Sequence, residues 1–514
     1  MSQQNLAKST VWLIVSELIF NLSGYFIHSF VGRILGPADY GRYGLVVTLT
    51  TMVIILIGNG IPTAMSKYMS EVFEINPSLI PVIKRQAIIM QGILIAGVTV
   101  IFYFCAPLIA NVLGDPSLTA LFKLSAWIIP SFALASFYFS YYTGLHQFNL
   151  QSVMKTVRSV FKVVIIVGMA WKWGVPGSVL GYAFSTFAVY FIAVTIDKLK
   201  FSKDLKKQIA LQQQAATKPI DVSFDYKKLL NYAWQVIIFF LAYELLISID
   251  LYLVKGILHD DYLTGIYNAA LTVGRIPYYI FYALTIMLLP VISKTTAEKD
   301  HTQTNAVISQ SLRLMTILLI PSVILMSQFS RPIIKLFYSA KYLDAAYPMS
   351  ILAYGVGFLT IFYVMSFVLN GAGKTKIPMW ISIFGVVVNS ILNYVFIKKY
   401  GLAGSAIATT ITSFVTMLAI LYYIQRDFGV MIHFKSLVKM FFAGAAMYLA
   451  CHFFSQGTLV FLLWSIILFT GYLIILYVLN EITQDDIIYL KQIVSKKAKK
   501  VEIQEELSGN EPGA

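Results

Sequence analysis

Charge is scarce in this chain: Asp, Glu, Lys and Arg make up 12% of its 514 residues, against roughly 25% in a typical soluble domain. That shortage excludes an ordinary water-soluble globule of this length. Cysteine is nearly absent, and its two representatives, Cys105 and Cys451, both lie in apolar stretches. A disulfide framework and a thiolate metal centre are therefore excluded. Six histidines are scattered, with no Ser-His-Asp set, zinc spacing or carboxylate pair on an exposed loop. No cofactor, no metal and no covalent catalysis are expected. Polar stretches long enough for a catalytic domain are also missing. The first apolar run begins near Val11, is long, and lacks the small-residue cleavage site of a signal peptide.

Apolar residues are abundant: 58% of the chain, with a mean hydropathy of +0.74. A membrane helix needs about 20 such residues to cross roughly 30 Å of hydrocarbon, so the supply suffices for about fourteen. The runs fall near 11–31, 42–64, 86–110, 119–142, 153–171, 176–196, 231–255, 264–291, 307–328, 346–369, 378–397, 403–424, 436–454 and 459–479. An even number of spans puts both termini on one side. Of 39 Lys and Arg, about 28 fall on that side and about 10 on the other, which makes it the cytoplasmic side. The formal charge of +15 is then a topology signal, and no nucleic-acid partner is expected.

Four segments recur in order. GRYGL from Gly41 matches GIYNA from Gly265, and APLIANVLG from Ala106 matches RPIIKLFYS from Arg331. TGLHQ about Gly144 matches NGAGK about Gly371, and GVPGSVLGYAFST from Gly174 matches GLAGSAIATTITS from Gly401. The offsets are 224, 225, 227 and 227 residues. The expected fold is an all-α integral membrane protein of about fourteen transmembrane helices: two homologous six-helix lobes plus two C-terminal helices. Residues 1–197 form the N-lobe and 198–229, rich in Lys and Gln, a cytoplasmic linker. Residues 230–426 form the C-lobe, 427–480 spans thirteen and fourteen, and 481–514 a charged cytoplasmic tail. Six spans per repeat give both lobes the same orientation, related by a pseudo-two-fold axis along the membrane normal.

Charged side chains within spans point to function, because an Arg at mid-membrane costs roughly 2.5–3.5 kcal/mol on insertion scales and normally faces a cavity or a partner. Arg275 shares one helical face with Asn268, Thr272, Tyr279 and Tyr282, and Pro277 suggests a bend. That face lines a central cavity, or else packs on a neighbour with Arg275 paired to an acid. Span one carries Glu17, Asn21, Gly24 and His28 on one face; span seven carries Glu244 and Asp250. These acids, with Asn21, are candidates for counter-ion or for a proton or cation coupling site. Lys155, Arg158 and Lys162 share a face of span five. They either snorkel to the headgroups or, with Lys162 about two turns into the apolar run, line a cationic path. GAGKT at 371–375 lacks the first glycine of a phosphate loop, which would fall at Val368, and sits in a turn between membrane helices. It is no nucleotide site.

With these segments, and with FVGRILGPADYGRYGL at the first outer turn, residues 5–480 resemble the polysaccharide and oligosaccharide flippases of the Wzx type, with the related sporulation protein B group. Their superfamily also holds lipid II flippases and MATE multidrug exporters. The resemblance implies two lobes in a V that opens alternately inward and outward. It implies a polyprenyl-diphosphate-linked glycan as substrate, membrane lipids and other polysaccharide-assembly proteins as partners, and a prokaryotic plasma-membrane location. It further implies cavity cations that meet the diphosphate, for which Arg275 is the first candidate, then Arg158 and Lys162. Span one holds Glu17 and no arginine, which argues against lipid II. A MATE-like cation-coupled exporter is the alternative; a membrane-embedded glycan polymerase or ligase lacks the sizeable outer loop it needs.

Overall fold

A computed structural model describes residues 3–58, 60–73, 76–201, 224–279, 300–454 and 459–482, with positions 281, 288, 292, 295, 296 and 457 besides. Most of the expected linker, the tail from 483 and Tyr282 lie outside the described residues, as does the side chain of Glu17. Among the described residues there is no β-strand. The helices are α1 (Gln3–Gly58), α2 (Ile61–Val72), α3 (Ile80–Val112), α4 (Thr119–Ser125), α5 (Ile128–Gly144), α6 (Phe148–Ile196), α7 (Lys227–Leu258) and α8 (Asp261–Gly274). They continue as α9 (His301–Gln328), α10 (Ser330–Phe337), α11 (Ala346–Gly371), α12 (Lys376–Phe428), α13 (Phe434–Cys451) and α14 (Val460–Val478).

The three longest helices are hairpins. Each reverses at a glycine with positive φ: Gly36 in α1, Gly174 in α6 and Gly401 in α12. Only glycine holds that conformation without a Cβ penalty. The two repeat-related reversals have nearly the same backbone, φ 61° and ψ −139° at Gly174 against φ 57° and ψ −136° at Gly401. Just beyond each, a second glycine lets the arms touch. A Cβ on Gly177 would come within 2.1 Å of the Met169 carbonyl oxygen, and one on Gly404 within 2.0 Å of that of Phe396. The duplication read from the letters is thus repeated in the backbone. Counting each hairpin as two crossings, the helices are consistent with fourteen spans. Large apolar side chains such as Ile93, Phe104, Trp171, Phe441 and Ile466 are exposed on the outside, which suits hydrocarbon and not water. Most described residues are helical, so their backbone polar groups pair within helices, as a bilayer demands.

The halves meet where α1 packs along α8, and α7 contacts α1 as well. The contact is reciprocal. A Cβ on Gly41 would lie 2.3 Å from the Asp261 carbonyl oxygen and 2.6 Å from the Gly265 nitrogen; one on Gly265 would lie 1.8 Å from the Pro37 carbonyl oxygen. Gly41 and Gly265 are repeat partners, so the pseudo-two-fold axis passes between them and two backbones cross at the distance that glycine alone permits. Around this crossing Lys255, 2% exposed, is held by Asp115 at 2.9 Å and by Asp261, and Arg42 stands 3.9 Å from Asp261.

Candidate functional site

Below that crossing lies a cavity of about 360 Å³. Its walls repeat the symmetry: Val47, Thr48, Thr51 and Ile55 face it from the second arm of α1, and Leu271, Thr272, Arg275 and Tyr279 from α8 and its continuation. Each of the second set stands 224 positions after one of the first. The axis that relates the lobes therefore runs through the cavity. Across it the chemistry has diverged, with Arg275 opposite Thr51.

Arg275 occupies a turn, φ −82° and ψ 0°, where α8 ends. Pro277 two residues on has no N–H to continue the ladder, so a bend follows. The guanidinium, half-buried, donates through Nη2 to the Ile247 carbonyl of α7. Among the described residues it forms no ion pair. Glu244 and Ser248 line the cavity from α7, Asn21 and Tyr25 from α1, and Lys162 and Tyr182 from the two arms of α6. Lys162, 6% exposed, donates to the Tyr182 hydroxyl at 3.0 Å and lies over the rings of Tyr182 and Phe20 at 4.2 and 5.1 Å. Several polar groups here are buried with no hydrogen-bond partner among the described residues: the Tyr25 and Ser248 hydroxyls and the Asn268 amide nitrogen. Buried polar groups are normally satisfied, so these mark a space for water or a polar ligand.

The sequence candidates divide. Arg275, Asn268, Thr272, Tyr279, Lys162, Asn21 and Glu244 share the cavity. Arg158 is 3% exposed behind its wall, with its guanidinium 4.2 Å from the Phe132 ring centre and 5.3 Å from that of Phe20. His28, on the span-one face with Asn21 and Gly24, also lines the cavity, and its Nδ1 lies 2.8 Å from the Tyr40 hydroxyl. Asp250 is fully buried within the C-terminal half, where its Oδ2 accepts from Tyr267 at 3.0 Å and Thr409 at 3.1 Å. Next to it, Asn393 donates to Asn389 Oδ1 at 2.8 Å and Ser405 donates to Asn393 Oδ1 at 2.6 Å. This oxygen cluster was missed in the sequence. The usable signal was N-x₃-N in one arm of α12 and S-x₃-T in the other, polar residues repeating on a helical face of a membrane span.

At the Gly36 end the cavity is shut. Tyr40 and Tyr338 share a hydroxyl contact of 2.7 Å, and Tyr342 donates to the Gly32 carbonyl at 2.7 Å. Ser29 and Arg33 reach the last carbonyls of α10, at Phe337 and Leu336. The apposed rings of Tyr40, Tyr338 and Tyr342 fill the space between.

Residues 6–296 match the family model described as polysaccharide biosynthesis protein. The chain belongs to that family. The MatE model matches residues 236–395 as well. A relative described as an uncharacterized membrane protein of Methanocaldococcus jannaschii is 25% identical over 82% of this chain and 98% of its own length. The lipid II flippase MurJ of Bacillus subtilis is 24% identical, with 79% and 78% covered. Among solved structures, a lipid II flippase MurJ in an inward closed conformation superposes with a TM-score of 0.73 at 17% identity, over 92% of this chain and 99% of that one. The chain is a multi-pass membrane protein with the fold shared by lipid II flippases and MATE transporters, and the relatives named above with an activity are flippases and not enzymes.

Proposed function

We propose that this chain is a flippase that carries a polyprenyl-diphosphate-linked oligosaccharide from the cytoplasmic to the outer leaflet of a prokaryotic plasma membrane by alternating access. The observation that carries this reading is the charge of the cavity. Among the described residues, Arg275 and Lys162 face it against one acid, Glu244, with amide and hydroxyl groups that have no partner there available to a glycan. A cation in low dielectric attracts a diphosphate strongly, and the same field repels cationic drugs. Both termini, the linker 198–229 and the tail 481–514 are assigned to the cytoplasm. The lobes 1–197 and 230–426 rock about the Gly41–Gly265 crossing, and spans thirteen and fourteen, 427–480, ride outside the repeat. In this topology the shut Gly36 end faces outward. At about 360 Å³ the cavity is near the small end of ligand sites, so it must widen before a glycan headgroup enters. Glycan-assembly enzymes on either side would supply and consume the lipid.

Coupling is placed at Asp250. One buried carboxylate, with the oxygens of Thr409, Asn389, Asn393 and Ser405 beside it, offers the oxygen donors that hard cations take. Among the described residues no three His, Cys, Asp or Glu side chains converge. The charge of the cluster is that of one carboxylate, which suits a monovalent cation or a proton.

A MATE-like exporter would need the acids to dominate the cavity, and among the described residues Glu244 is outnumbered by Arg275 and Lys162. The test is reconstitution. The purified protein goes into liposomes containing a polyprenyl-diphosphate oligosaccharide, and headgroup exposure is read with a membrane-impermeant glycosidase. Protein-dependent exposure supports the flippase. No exposure, together with uptake of a cationic dye under a sodium or pH gradient, replaces it by the exporter.

A further inference from the structure

The two halves differ sharply at one place. In the N-terminal half α3 runs unbroken through Pro107 to Val112. In the C-terminal half the corresponding helix stops at Gln328, turns at Phe329 and restarts as the eight-residue α10. The residues there change character together. Phe102, Tyr103, Cys105 and Ala106 correspond, at the offset of 225, to Ser327, Gln328, Ser330 and Arg331. One copy is built with no serine, glutamine or arginine at these positions, so the fold does not require them in the other.

These four residues line a second cavity, of about 660 Å³, separate from the central one. Ser327 and Ser330 are 9% and 6% exposed, and neither hydroxyl has a protein partner among the described residues. No side chain caps the N-terminus of α10, and its dipole favours an anion beside Ser330 and Arg331. Arg331 at its first turn is exposed and forms no ion pair among the described residues. Among the described residues no acid lines the cavity. Part of the remaining wall is aromatic: Tyr354 and Phe358 of α11, and Tyr448 of α13, together with Ile351, Ser350 and Thr410. Helix α13 lies outside the repeat and packs on α9 and α14, leaving a crevice toward α11 and α12. Its flanks are exposed and apolar, with Phe414 and Leu418 on one side and Phe441 and Leu449 on the other, so the crevice opens to hydrocarbon.

We propose that this crevice binds one anionic glycerophospholipid, its phosphate on Arg331, Ser330 and the N-terminus of α10, and an acyl chain against Tyr354, Phe358 and Tyr448. A polar, basic head site joined to an aromatic slot matches the two ends of such a lipid. Basic pockets between membrane helices hold lipid headgroups by the same physics. The lipid fills the gap that α13 leaves and ties it to the C-terminal half. The proposal does not depend on what the central cavity carries.

The experiment is native mass spectrometry of the full chain, delipidated in neutral detergent and titrated with phosphatidylglycerol, phosphatidylcholine or inorganic phosphate. Two variants are compared with it: Arg331→Glu, at an exposed position, and Ser330→Asp, which places an acid where a helix start favours one while repelling phosphate. The wild type should retain one phosphatidylglycerol in preference to phosphatidylcholine. Both variants should lose that preference, by roughly five- to tenfold in retained lipid, the scale of one basic contact at a membrane surface, while running as monodisperse protein. Equal retention by the variants would overturn the proposal. Displacement of the lipid by millimolar inorganic phosphate would also overturn it, in favour of a free-anion site.

Discussion

Replacing Arg275 by alanine tests the cavity most directly. In the closed structure the guanidinium donates to the Ile247 carbonyl and to no acid among the described residues. Loss of one such bond, whose donor is charged, costs about 1.5–3 kcal/mol, largely offset because a charge no longer has to be desolvated. Protein level in the membrane should therefore hold. The substrate contact is worth more. A charge-assisted bond contributes about 1.5–3 kcal/mol, so Ala should weaken diphosphate binding by roughly ten- to more than a hundredfold. Arg275→Lys keeps a point charge and loses the planar fork that grips two oxygens; it should recover part of the loss. The assay is surface glycan in a flippase-deficient host, normalised to membrane protein by immunoblot, with vesicle binding of the lipid-linked glycan beside it. Wild-type export by Arg275→Ala would refute the reasoning, because an uncharged cavity would then suffice.

Other substitutions separate closure, coupling and support. Gly265→Val places side-chain atoms where even a Cβ falls 1.8 Å from the Pro37 carbonyl, so the Gly36 end should fail to shut. A cysteine at Tyr338 should then label faster with an impermeant maleimide than in the parent, and unchanged labelling would show that the crossing is not the closing contact. Asp250→Asn keeps the shape and removes the charge. Export should lose its dependence on a sodium or proton gradient, and a dependence that survives would move coupling elsewhere. Arg158→Met keeps an apolar stem among Phe20, Phe132 and Phe139 and should lower thermal stability more than export; the reverse order would put Arg158 in the substrate path.

The spans were legible because a membrane imposes one length and one polarity on each helix, and hydropathy records both. The duplication was legible because its glycines carry backbone demands: Gly174 and Gly401 hold the positive φ of a reversal, and Gly41 and Gly265 let two backbones cross. Helical spacing also grouped Asn268, Thr272, Arg275 and Tyr279 onto one face, and these four residues line the cavity. Spacing could not say how far a helix is turned about its own axis. Arg158 and Lys162 are one turn apart, yet Lys162 reaches the cavity and Arg158 ends among phenyl rings. The Asp250 cluster joins α7, α8 and both arms of α12 across more than a hundred residues, and no local pattern links them. The tyrosine closure is similar: Tyr40 and Tyr338 meet only because the lobes cross.

The symmetry of the cavity leads to a sharper test of what Arg275 supplies. Thr51 and Arg275 face each other across the axis, with Thr48 opposite Thr272 and Val47 opposite Leu271. A duplicated gene would begin with equal walls, so charge on one wall is an acquired difference and not a demand of packing. If the cavity contributes only a positive field to a diphosphate at its centre, the side of origin is immaterial. The double variant Thr51→Arg, Arg275→Thr should then export better than Arg275→Thr alone, at equal membrane level. An Arg at 51 starts from the half-buried second arm of α1, where Thr51 already lines the cavity. Absence of any rescue in a well-expressed double variant would mean that Arg275 acts through its own neighbours, Glu244 and Ile247, and that the site reads position as well as charge. Full rescue would mean that the lobes are interchangeable in chemistry, and that the direction of transport is set by the closing contacts and by Asp250.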